Sequence, residues 1–198
     1  IFVLGTVAMR SAGCVINDLA DRDFDPFVKR TRDRPIASRR LAPTEAVVWF
    51  LVLIAIALAL VLQLDPDTIR MSVIGAVLAV SYPFFKRFFP LPQFYLGLAF
   101  GWAVPMAFIA QMGVVPRLGW VLFVTTVLWA VIYDTLYAMV DRDDDLKIGI
   151  HTSAITLGRL DVAAVMASYV LMVGILAWTG VALELGWPYH AGLIVAAG

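Results

Sequence analysis

The chain has little of what a water-soluble domain needs. Of its 198 residues only 15% are charged, against about a quarter in ordinary soluble domains. Apolar and aromatic residues make up 62%, and the mean hydropathy is +0.88. This excludes a disordered chain and leaves too few polar groups to clothe a globular surface. One cysteine, Cys14, excludes an internal disulfide and a cysteine metal cluster, and reads as a small packing residue. The two histidines, His151 and His190, lack metal-pair spacing and read as interfacial residues, and no Ser-His-Asp triad is apparent. The 15 basic and 15 acidic residues cancel, and no nucleic acid partner is expected. No basic leader precedes Ile1-Phe2-Val3-Leu4, no initiator Met is present, and the sequence stops at Gly198 in an apolar run. The polypeptide is therefore expected to continue at both ends.

What the chain does have is long apolar runs. A bilayer core of about 30 Å takes about 20 helical residues. Five runs approach that length, at 46–64, 69–85, 94–111, 118–138 and 162–185. A further run at 1–16, interrupted by Arg10, and another from Tyr189 onward are partial. Residues 51–62 are apolar on every helical face, which suits lipid or a bundle interior. The pattern predicts one all-α domain over 1–198, a polytopic transmembrane helix bundle. Within the run at 94–111, Gly97, Gly101 and Pro105 predict close packing and a kink. Phe94, Phe100, Trp102 and Phe108 read as bundle or lipid surface.

Lys and Arg are unevenly spread. Loops 17–45, 85–92 and 139–160 carry seven, two and three of them, whereas the intervening loops carry only Arg70 and Arg117. If spans alternate in direction, the three rich loops share one side, which the positive-inside bias makes cytoplasmic. Nearly all the acids fall on that side too. The expected setting is a bacterial inner membrane.

The acids form two clusters. On a helix Asn17, Asp21 and Asp25 fall at i, i+4 and i+8 along one face, with Asp18 at its edge and Asp23 pointing away. Tyr137, Asp141 and Asp145 repeat the spacing, with Asp134 a turn before Tyr137. Two carboxylates 4 Å apart repel by about 4 kcal/mol at an effective dielectric near 20, so facing clusters call for cations. Oxygen donors without Cys or His suit Mg²⁺, which keeps few protein ligands and bridges to substrate phosphates. The chemical reading is a diphosphate held through Mg²⁺ between two Asp-rich helix ends. The plain alternative is an interfacial loop whose acids pair with Arg22, Lys29, Arg30 and Arg142. A transporter would instead carry ionisable residues at mid-membrane on both halves of a path.

In these residues the chain resembles the UbiA family of intramembrane aromatic prenyltransferases. Asn17-Asp18-x-x-Asp21-x-x-x-Asp25 is similar to its first Asp-rich motif and Asp141-x-x-x-Asp145 to its second. The likeness extends through residues 10–35 (RSAGCVINDLADRDFDPFVKRTRDRP), 82–87 (YPFFKR), 98–107 (LAFGWAVPMA) and 129–149 (WAVIYDTLYAMVDRDDDLKIG). The resemblance implies a nine-helix bundle of which this fragment holds helices two to eight, the last incomplete. It implies Mg²⁺, a polyprenyl diphosphate donor, the lipid bilayer as host and an aromatic acid acceptor, with 4-hydroxybenzoate of ubiquinone biosynthesis expected. Dihydroxynaphthoate, homogentisate and haem are the alternative acceptors. Asn17, Asp21, Asp141 and Asp145 are then expected to hold Mg²⁺ on the diphosphate, with Asp25 as a further ligand or stabiliser. By the resemblance, Asp25, Arg87 and Asp141 are the essential positions. Lys86-Arg87 reads as a clamp on the leaving diphosphate. Lys29, Arg30 and Arg34 read as a loop closing over it, stiffened by Pro35. Tyr137 is placed to orient a carboxylate or a phosphate, Tyr133 reads as an interfacial belt aromatic, and Asp134 argues for a role inside the bundle.

Overall fold

The computed structural model describes residues 1–85 and 88–197. Among the described residues nine helices follow one another: α1 (Phe2–Ala20), α2 (Pro43–Val61), α3 (Pro66–Phe85), α4 (Pro92–Gly101), α5 (Ala103–Met112), α6 (Arg117–Ile148), α7 (Ser153–Leu157), α8 (Asp161–Ala182) and α9 (Trp187–Ala197). Short 3₁₀ turns cover Asp25–Phe27 and Gly158–Leu160. Among the described residues six segments are long and apolar enough to cross a bilayer, counting α4 with α5 and α7 with α8. Many of their large apolar side chains point outward, as in Val3, Leu51, Val77, Val170 and Trp178. A bilayer supplies the surroundings that such a surface needs.

Three local features position the site. First, Pro105 has no N–H to give to Gly101, and the helix breaks at Trp102 between α4 and α5. The Trp102 indole Nε1–H donates to the Met71 carbonyl oxygen at 2.8 Å, tying this break to α3. Second, Gly97 and Gly101 bring α4 against α6. A Cβ on Gly97 would stand 3.0 Å from Val127, and one on Gly101 would stand 3.2 Å from Phe123. Third, α6 runs unbroken for 32 residues, well past the apolar stretch at 118–138. Its acidic end is clipped to α8 by the Arg142–Asp161 ion pair.

Two expectations need correction. Helix α1 stops at Ala20, so Asp25 does not continue its face but opens the 3₁₀ turn. The chain turns back on itself there, with both Phe24 and Asp25 donating N–H to the Asp21 carbonyl oxygen at 2.8 Å. Cys14 lies on the exposed face of α1 and packs no interior. Buried positions on that helix belong to Ala8 and Ala12, and α1 packs directly on α2. In the interrupted span, Trp102 and Phe108 pack in the bundle against Gly75 and Gly119, while Phe94 and Phe100 face outward.

Candidate active site at the acidic mouth of the bundle

The two acidic clusters line one cavity of about 350 Å³. Its wall is built from the end of α1 (Asn17, Asp21), the following loop (Asp25, Arg30, Thr31, Arg34), the end of α3 (Tyr82), the start of α4 (Gln93), the second half of α6 (Tyr133, Asp134, Tyr137, Asp141, Asp145) and the link to α7 (His151, Thr152). The three Lys- and Arg-rich loops thus meet at one end of the bundle. Unbroken helix keeps Tyr137, Asp141 and Asp145 in register on one face of α6. On the α1 side, the loop turn returns Asp25 to the cavity that helix geometry alone would not have reached.

Arginines of the loop pair with acids of each cluster, Arg30 with the second and Arg34 with the first. The Arg30 Nε–H donates to both Asp141 carboxylate oxygens, at 3.1 and 2.9 Å, and the same guanidinium lies over the Tyr137 ring, 5.3 Å from its centroid. Arg34 Nη1 donates to Asp18 at 2.9 Å and to Asp25 at 3.1 Å. Lys29 lies outside the cavity wall, but its main-chain N–H donates to Asp144 at 3.1 Å, fastening the loop to α6. Asp21, Asp25 and Asp145 are buried. Burial pushes the Asp25 carboxyl above its ordinary value, and the Arg34 charge pulls it part of the way back. Arg30 is held above its ordinary value chiefly by its hydrogen bonds to Asp141.

The expected ligands Asn17, Asp21, Asp25, Asp141 and Asp145 are brought together, as are Arg30, Arg34 and Tyr137. Lys86 and Arg87 lie outside the described residues. Asp23 is exposed and apart from the cavity. Tyr133 is half-exposed yet also lines the cavity, donating its hydroxyl to Tyr137 at 3.1 Å. His151, read from sequence as an ordinary interfacial residue, stands on the cavity wall. Gln93, Tyr82 and Thr152 carry no charge or periodic signal that would have singled them out. Asp18 did carry a signal, its place at the edge of the motif.

Polar walls of this kind inside a bundle of apolar helices define an integral membrane protein with an anion- or cation-handling mouth. The whole chain, 1–198, matches the UbiA prenyltransferase family, and the chain belongs to that family. It is 57% identical over 198 residues to the 4-hydroxybenzoate octaprenyltransferase of Cupriavidus metallidurans, covering 100% of this chain and 67% of that protein. The apo structure of a UbiA homologue from Aeropyrum pernix superposes with a TM-score of 0.88 at 27% identity, covering 99% of this chain and 74% of the other. A UbiA homologue from Archaeoglobus fulgidus, solved bound to GPP and Mg²⁺, shares the fold with a TM-score of 0.74 at 16% identity, over 99% of this chain and 71% of the other.

Proposed function

We propose that this protein transfers a polyprenyl group from its diphosphate to the ring of 4-hydroxybenzoate, at the cytoplasmic side of a bacterial inner membrane. The observation that carries the reading is that both aspartate clusters, Arg30 and Arg34 line one cavity. High identity to 4-hydroxybenzoate octaprenyltransferases supports the acceptor and the ubiquinone pathway.

The donor set of the cavity suits a hard cation. Oxygen donors dominate the wall, with His151 as the one imidazole. Among the described residues no group of three or more His, Cys, Asp or Glu is gathered closely enough to cage an ion. Zinc would need such a cage. Mg²⁺ does not, because it binds through one or two carboxylates and completes its shell with water and substrate phosphate. The residues therefore fit Mg²⁺ carried with a diphosphate, held by Asn17, Asp21, Asp141 and Asp145, with Asp25 beside them. When bound, it supplies positive charge that favours departure of the diphosphate.

The chain's own residues do the rest. Arg30 and Arg34 bind diphosphate oxygens with planar guanidinium forks, exchanging their present carboxylate partners for phosphate. Tyr137 orients Arg30 through its ring. The C1–O bond of the donor breaks with its electron pair on the diphosphate. The ring carbon ortho to the acceptor hydroxyl bonds to C1, and the ring proton leaves. Apolar helices around the mouth keep water from the cation.

Full-length protein in membranes, given a polyprenyl diphosphate, Mg²⁺ and separately 4-hydroxybenzoate, dihydroxynaphthoate, homogentisate and haem, tests the reading by product mass. Prenylated 4-hydroxybenzoate is expected. Product with another acceptor alone overturns the acceptor, and no prenylated product with any overturns the transfer.

A further inference from the structure

Residues 149–152 link the acidic end of α6 to α7, and Ile150, His151 and Thr152 form one wall of the cavity. At its near end, Gly149 closes α6 with a φ of 71°, and the Ile150 N–H donates to the Asp145 carbonyl oxygen at 3.2 Å. At its far end the link is held by side chains from elements distant in sequence. Gln93, at the start of α4, accepts the Ser153 N–H on Oε1 at 2.8 Å. The Ser153 hydroxyl is hydrogen-bonded to the Thr135 hydroxyl of α6, also at 2.8 Å. Gln93 is 5% exposed, Thr135 and Ser153 1% each. On the same short helix the Thr156 hydroxyl donates to the Pro90 carbonyl oxygen, just ahead of α4. Polar groups this deep are unfavourable unless paired. Here their pairing fixes a short wall of the same cavity that Asp21 and Asp25 line.

We propose that Gln93 is a positioning residue that keeps this wall shut against water while transfer takes place. The inference rests on the transferase reading above. Once the C1–O bond has broken, with its electron pair on the diphosphate, C1 has two possible partners. Bonding to the acceptor ring carbon, with loss of the ring proton, gives the prenylated acid. Bonding to a water oxygen, with loss of a water proton, gives free polyprenol. A shut wall favours the first outcome. Without its acceptor, the buried Ser153 N–H draws in water or lets the link swing away, and polyprenol accumulates.

The measurement is the molar ratio of polyprenol to prenylated 4-hydroxybenzoate formed by the full-length protein in membranes with Mg²⁺. Being a ratio, it does not depend on how much enzyme has folded. Gln93→Leu raises it about tenfold, the size of one unmade buried hydrogen bond. Thr135→Val, similar in shape but without a hydroxyl, raises it as well, and Thr135→Ser returns it to the wild-type value. If Gln93→Leu does not insert, the Thr135 pair decides the matter. A wild-type ratio in Thr135→Val and in any Gln93→Leu that inserts overturns the positioning role and leaves the transferase reading standing. Wild-type membranes that form no prenylated 4-hydroxybenzoate overturn the transferase reading instead.

Discussion

At Asp25 two effects oppose each other. Burial raises its carboxyl above the usual carboxylate range, and the Arg34 guanidinium 3.1 Å away pulls it down only part of the way. If the ionised form is the working one, Asp25 takes up its proton on acidification before an exposed carboxylate does. Activity then fails at a higher pH than an ordinary aspartate would dictate. Arg34→Ala removes the opposing charge, so the acid limb of kcat/KM against pH moves upward, whereas Arg34→Lys moves it less. An unmoved limb in Arg34→Ala would separate Asp25 from the rate. At this scale the charged residues of the site are legible in the sequence because charge is so scarce among the apolar runs. Their partners are not. Nothing in the spacing joins Arg30 to Asp141 or Gln93 to Ser153, because each pair is made by the packing of elements far apart in the chain.

The elements follow the hydropathy pattern closely, except where main-chain geometry takes over. The kink expected from Pro105 is a one-residue interruption at Trp102, which keeps right-handed helical dihedrals, whereas the first acidic motif leaves its helix at Ala20. A helical wheel could not foresee the second, because the return of Asp25 depends on turn hydrogen bonds to the Asp21 carbonyl oxygen. Two stability changes follow from element geometry. Gly97→Val drives a branched side chain into Val127, which a Cβ already approaches to 3.0 Å. Overpacking of this kind costs about 1–3 kcal/mol and lowers the thermal midpoint in detergent. Glu184, just past α8, holds a left-handed φ of 52°. Glu184→Gly relieves that strain and is expected to stabilise by about 0.5–1 kcal/mol, read as a higher midpoint in the same assay. An unchanged midpoint in either variant would contradict the geometry assigned to it.

For the molecule as a whole, the arrangement of charge defines one charge-rich end and one end with far fewer charges. If the polar end is cytoplasmic, a cysteine label distinguishes the two faces. With native cysteines removed, Cys14 included, Arg40→Cys should react with an impermeant maleimide only after the cytoplasmic side is opened. Arg117→Cys should react from the outside in intact cells, and the reverse pattern would invert the topology. Excess EDTA should abolish transfer and added Mg²⁺ restore it, and turnover that persists in EDTA would remove the metal from the site. The wider fold was legible because bilayer thickness dictates span length. The meeting of α1 and α6 at one mouth was legible only through the matched sidedness of their acids.

That meeting is tested most directly by the Mg²⁺-dependent binding of a polyprenyl diphosphate to the full-length protein, measured for wild type, Asp21→Ala, Asp141→Ala and the double variant. A shared metal–diphosphate site requires each single change to raise Kd by roughly 100-fold, with the double change adding little beyond either one because the two act on one ligand. Wild-type binding in either single variant, or two losses that simply add, would contradict a site gripped from both clusters.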